Sequence, residues 1–221
     1  MIYCNDVNKL IDQILEVREV DSSNARVKFG IDSGGGYLKF CMSIFQNTSR
    51  RMMNERKVID RGFSDTGVKK IMILALTPNV KETYNNVKIL FDLLRVHEIH
   101  LHVFYSVDLK MANIICGLQS HSSSYPCVWC RCPKDEFRLE KSRSYPIRTV
   151  GDIKQNASDF AVSHCKSAKD FESSVHEPLF PAKNTDILFL HIALPELHLL
   201  LRITNKLAHE LELRNEVVFE I

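Results

Sequence analysis

Residues Phe29–Phe40 read FGIDSGGGYLKF, and the reading of this stretch decides the fold. Upstream of the glycines the side chains alternate: Val27, Phe29 and Ile31 fall on one face, and Lys28, Gly30 and Asp32 on the other, the period of a strand. Gly34 and Gly35 suit the positive φ values of a tight hairpin turn, after which Leu38, Phe40, Met42 and Ile44 alternate in their turn. The expectation is strand, tight turn, strand, with Asp32 ending the first strand on its less apolar face.

Working outward, residues 7–18 carry Val7, Leu10, Ile11, Ile14 and Val17 at helical spacing behind Asn5 or Asp6 as N-cap. After the hairpin, KIMILALTP is a continuous apolar run, which predicts a strand buried on both faces and central in the sheet. Val80, Tyr84, Val87, Leu90, Phe91 and Leu94 then predict a crossover helix that returns the chain for a parallel strand. That strand is EIHLHVFYSVD, in which Asp108 is a second carboxylate closing a second strand. Residues 109–119 read as a helix, 120–126 as a Ser-rich loop and 133–185 as irregular and polar, with weak helical patterns over 150–172. A final helix is expected from Leu194 to Leu213. The class is α/β, a mixed sheet of antiparallel hairpin plus parallel strand flanked by helices. The chain divides into a lead-in helix (1–25), a core (26–126), a cysteine cluster with a polar insertion (127–185) and a C-terminal helix of the core (186–221).

With 221 residues, 45% of them hydrophobic, the chain can bury a real core. No run reaches the roughly 18–20 apolar residues of a membrane span, and MIYCNDVNKL lacks a signal-peptide pattern, so no membrane role and an intracellular setting are expected. Seven cysteines, three of them in CVWCRC, point to a reducing compartment and to metal rather than to a disulfide scaffold. Basic residues outnumber acidic ones over 47–81 and 131–154, and the balance reverses over 155–221. Such segments are either solvated loops or contacts to a phosphate backbone.

Two carboxylates closing neighbouring strands supply hard oxygen ligands for Mg²⁺ or Mn²⁺. A strand pair, a further strand, a crossover helix and a parallel strand open a ribonuclease H-like fold, and an actin-like ATPase domain opens similarly. The second requires another glycine-rich phosphate loop, and after Gly67 only Gly117 and Gly151 remain. Cys127 and Cys130 in CVWC have the spacing that grips Zn²⁺, with Cys132, His164, Cys165, His191 and His198 as candidate partners.

These pieces resemble the ribonuclease H-like DDE core of the Transib transposases and the V(D)J recombinase. GIDSGGG resembles the segment with the first catalytic Asp of that family, and VFYSVDLKMANIICGLQS the strand and helix carrying its second. Cys127 follows Asp108 by 19 positions, much as the family places a zinc-binding CxxC, and DILFLHIALPELHLLLRITNKL resembles its Leu-His segment. The hAT-type transposases are the near alternative. The resemblance implies catalytic, metal-binding roles for Asp32 and Asp108 with Mg²⁺ or Mn²⁺, and a structural zinc half-site at Cys127 and Cys130. It also implies His198 as an active-site neighbour, DNA as substrate, a possible homodimer and a nuclear location. The family's third carboxylate, a Glu, lies beyond the Leu-His segment and beyond the zinc-binding histidines. Glu196, Glu210 and Glu212 come too early to match it, so a truncated, decayed or domesticated copy, weak or inactive as a nuclease, is expected.

Overall fold

A computed structural model describes residues 1–46, 71–136, 144–193 and Thr204. The helix expected over 194–213, with Glu196, His198, Glu210 and Glu212, lies outside the described residues but for Thr204, as does most of the basic segment 47–81.

The alternation around Asp32 produces the expected pair. Strand β2 (Ala25–Asp32) buries Ala25, Val27, Phe29 and Ile31 on one face, and β3 (Tyr37–Gln46) answers with Leu38, Phe40, Met42 and Ile44. They run antiparallel with Asp32 opposite Lys39, and the positive φ values fall at Gly35 and Gly36 rather than Gly34. Before the hairpin come a two-residue strand, β1 (Ile2–Tyr3), and helix α1 (Val7–Val17). Helix α1 is capped by the Asp6 side chain, which accepts from the Lys9 N–H.

The apolar run 70–78 forms β4 (Met72–Pro78), but not at the sheet centre. It pairs antiparallel with β3 on one side, only β1 covers its other side, and Ile73 stays 63% exposed. Continuous hydrophobicity allowed a central place; it did not require one. Helix α2 (Tyr84–Leu93) then carries the chain over to β5 (His102–Ser106), which lies parallel to β2 with Phe29 opposite Tyr105. A last pair of residues, β6 (Ile192–Ala193), adds parallel to β5. The six-stranded mixed sheet has the order β1-β4-β3-β2-β5-β6, so β2 stands between its hairpin partner and its parallel neighbour.

Behind the buried face, rings interlock: Phe29 with Phe40 (5.0 Å between centroids), Phe40 with Phe91 of α2 (5.4 Å), Phe91 with Tyr105 (5.7 Å) and Tyr105 with Phe180 (5.3 Å). Edge-on and stacked aromatic pairs of this kind add to area burial. Helix α3 (Leu109–Ile115) is shorter than the sequence suggested, because Gly117 turns the chain at φ +74°. The weak helical pattern read over 150–172 is a well-formed helix, α4 (Val150–Ser163), opened by a capping box between Thr149 and Asp152. Val128, Val150, Ile153 and Phe180 belong to the same core as the sheet residues.

Gly117 locks α3 to the segment behind it: its carbonyl accepts from the N–H groups of Val175 and His176. A Cβ here would lie 2.0 Å from the His176 carbonyl oxygen, whereas one at Gly35, also at positive φ, would meet nothing within 4 Å. Gly35→Ala is therefore expected to cost only the left-handed strain of about 1–2 kcal/mol, and Gly117→Ala at least about 2 kcal/mol more. Urea unfolding midpoints of the two variants check this; equal midpoints would mean that the 173–177 segment yields freely.

Candidate functional site

Asp32 and Asp108 each stand three residues beyond an opposed pair, Phe29 and Tyr105, on adjacent parallel strands. The chain thus leaves the sheet at the same end through both. Asp108 is not a strand residue, since β5 stops at Ser106; it is the N-cap of α3, and its Oδ1 accepts from the Met111 N–H at 2.7 Å. Asp32 Oδ2 accepts from the Gly34 N–H at 3.1 Å and lies 3.9 Å from Lys39 Nζ. Each carboxylate spends one oxygen on local backbone, as turn and cap residues do, and its other oxygen accepts no hydrogen bond among the described residues.

Beside them opens a cleft of about 400 Å³, lined among others by Ser33, Tyr37, Asn79, Lys81, Glu82 and Lys110. Its rim is tied together by the Asn79 N–H donating to the Gly36 carbonyl at 2.8 Å. Glu82, absent from the sequence reading, is nearly buried and paired with Lys110. Burial pushes its carboxyl up, but hydrogen bonds from Lys110 and Ser33 and the Lys110 charge outweigh it and leave the group below the ordinary glutamate value. The clue in the sequence was only its place four residues after Pro78, where the apolar run ends. Nothing in local periodicity predicts a contact between residues 82 and 110.

Among the described residues, no group of three or more His, Cys, Asp and Glu side chains lies close enough to hold a metal ion. Two carboxylates with free oxygens still match the donor chemistry of Mg²⁺, which commonly takes one or two carboxylates and fills its shell with water and substrate phosphate.

The cysteine turn is built elsewhere. Cys130 pairs in an isolated bridge with Ile147. Burial, together with a hydrogen bond to the Cys127 thiol, pushes the Cys130 thiol up to about 11, so a cation must displace its proton. Two soft thiols at this spacing supply half of a tetrahedral zinc site. Cys132 is buried beside them. His164 ends α4 and Cys165 is exposed, while the His191 ring contacts Asp186 at 3.2 Å and stacks near His102. His198 lies outside the described residues.

In the basic segment 131–154, Arg138, Lys141 and Arg143 lie outside the described residues, and two of the described cations are already engaged. Arg131 pairs with Asp152 (2.9 Å) and Glu172 (3.3 Å), and Arg148 is fully buried. No helix among the described residues is long and apolar enough to cross a membrane. Comparison with protein-family models and with curated proteins finds no match for this chain.

The lowered Glu82 pKa makes a pH prediction. A carboxylate held below its unfolded value of about 4.3 stabilises the fold above that pH, and the contribution disappears as pH falls through the lowered folded value. Glu82→Gln is expected to cost about 1 kcal/mol at pH 7, with the difference from wild type narrowing as the pH falls below about 4.3 and through the lowered folded value. Thermal melts from pH 7 downward test it, and a difference that does not narrow as the pH falls below about 4 would show that charge is not what Glu82 contributes.

Proposed function

We propose that the chain is a ribonuclease H-like core of the DDE transposase and recombinase type, acting on DNA. The observation that carries this is the parallel pairing of β2 with β5, which brings Asp32 and Asp108 to one end of the sheet beside a cleft edged by lysines. A hairpin, a third strand, a crossover helix and a parallel strand follow one another as that fold requires.

In this reading Asp32 and Asp108 offer their free oxygens to Mg²⁺ or Mn²⁺, and Lys81 at the cleft offsets the charge of a DNA phosphate. When bound, such ions activate the attacking hydroxyl and stabilise the leaving oxygen. The Gly34 and Met111 N–H groups hold the two carboxylates in place, and Lys39 offsets the charge of Asp32. No third carboxylate joins the two Asp side chains among the described residues, so the proposal is for a core with weak or no strand cleavage of its own. Cys127 and Cys130 serve as a structural zinc half-site. Location in the nucleus and association as a homodimer belong to the same proposal.

A second reading, a non-catalytic zinc-stabilised DNA-binding or interaction module, draws on one observation: both aspartates already serve as local cap and turn residues. Asparagine caps as well as aspartate does, so Asp32→Asn and Asp108→Asn preserve the local bonds while removing the charge. Each is expected to weaken Mn²⁺ binding by more than about tenfold, measured calorimetrically, with little change in melting temperature. Mn²⁺ binding that neither substitution alters sinks the catalytic-core reading in favour of the module. Tight ATP binding at the Ser33–Gly36 cleft would instead favour the actin-like alternative. Binding of duplex DNA is expected to fall steeply between about 50 and 200 mM salt, as counterion release requires.

A further inference from the structure

Arg148 is among the largest fully buried side chains described, with 0% exposure, and it lies directly against the CxxC turn. Its Nε donates to the carbonyl oxygens of Cys127 and Cys130, both at 3.1 Å, and its backbone N–H donates to the carbonyl of Trp129 at 2.8 Å. Three of the four carbonyls of Cys127–Cys130 therefore end on one residue. The next residue is tied to the same strand of chain, since the Arg131 N–H donates to the Pro146 carbonyl at 3.0 Å.

Burying a guanidinium is costly unless it is bonded and countered by charge. Glu172 lies 3.5 Å from Nη1, and Glu172 is itself held by Arg131 at 3.3 Å and by the Asn156 amide at 3.3 Å. Even so, Nη1 and Nη2 make no hydrogen bond among the described residues. The side chain's well-formed bonds are those of Nε to the cysteine carbonyls. A surface loop needs no such fixture, because water satisfies its carbonyls.

We infer that Arg148 is the positioning residue of a thiolate metal site: by drawing the carbonyls of Cys127 and Cys130 inward onto Nε, it holds the turn so that the two sulfurs converge on one cation. This rests on the zinc reading above and adds to it the residue that makes the half-site rigid. Bonds that orient metal ligands commonly govern affinity by 10–100-fold when removed.

Two substitutions separate hydrogen bonding from charge. Arg148→Lys keeps a cation but puts a methylene where Nε–H stood, so the two carbonyls lose their donor. Arg148→Gln loses the charge but places an amide N–H at the Nε position. The experiment titrates the reduced full chain with Co²⁺ alone, following the thiolate charge-transfer absorption, and then competes Zn²⁺ against a chromophoric chelator. Cys127→Ser serves as control, and melting temperatures are read in parallel. Arg148→Lys is expected to bind about 10–100-fold more weakly, and Arg148→Gln to stay within about threefold of wild type. If Arg148→Lys binds as wild type does, or if folded Arg148→Gln binds as weakly as Arg148→Lys is expected to, the positioning role is overturned. The same follows if Arg148→Lys loses melting temperature alone with metal affinity intact. A wild-type chain with no thiolate absorption ends the zinc reading itself, and this inference with it.

Discussion

The parallel contact between β2 and β5 is the constraint on which the rest of the molecule depends. It is non-local, joining Phe29 to Tyr105 across the whole β3, β4 and α2 excursion. Such a pairing forms only when the crossover helix packs back on the sheet, because a parallel partner cannot be reached by a tight turn. The aromatic chain Phe40, Phe91, Tyr105 and Phe180 supplies that packing, and it includes a residue from the helix the crossover needs. Take away this contact and Asp32 and Asp108 become unrelated turn residues.

Helix α3 then transmits the order of the sheet to the cysteine segment. Asp108 caps its start at the carboxylate end, while its far end runs through Gly117 into bridges with residues 173–176. Cys116, at that end, is fully buried, and its thiol feels the Arg148 charge, which eases but does not cancel the rise that burial imposes. Two short turns of helix thus connect the two places where metal chemistry is proposed. Seven residues suffice because one end is capped by the Asp108 side chain and the other is fixed by backbone hydrogen bonds, whereas helix propensity is weak in so short a segment.

The handling of charge separates the two regions. At the sheet end the exposed pair of Lys39 and Asp32 is loose, at 3.9 Å, in contrast to the closely held pair of Lys110 and Glu82. Beneath the cysteine turn, Arg131, Arg148, Asp152 and Glu172 interlock and are withdrawn from solvent in part or altogether. The first arrangement suits reversible binding and the second suits rigidity.

Period-two alternation on either side of Asp32 was enough to determine β2 and β3, though not which glycines take the turn, and helical spacing determined α1 and α2, because these signals are set by side chains a few residues apart. The identity of Asp32, Asp108, Cys127 and Cys130 as the residues worth weighing came from the same local reading. Local pattern could not place β4 near the sheet edge, since an apolar run states only that a strand can be buried and not which neighbours it takes. Nor could it find Glu82 against Lys110, or Arg148 beneath the cysteines, whose partners lie 28, 21 and 18 residues away. Those contacts exist only after the chain has closed on itself. Burial then turns an ordinary surface charge into a group that must be bonded, and that requirement is a property of the tertiary structure alone.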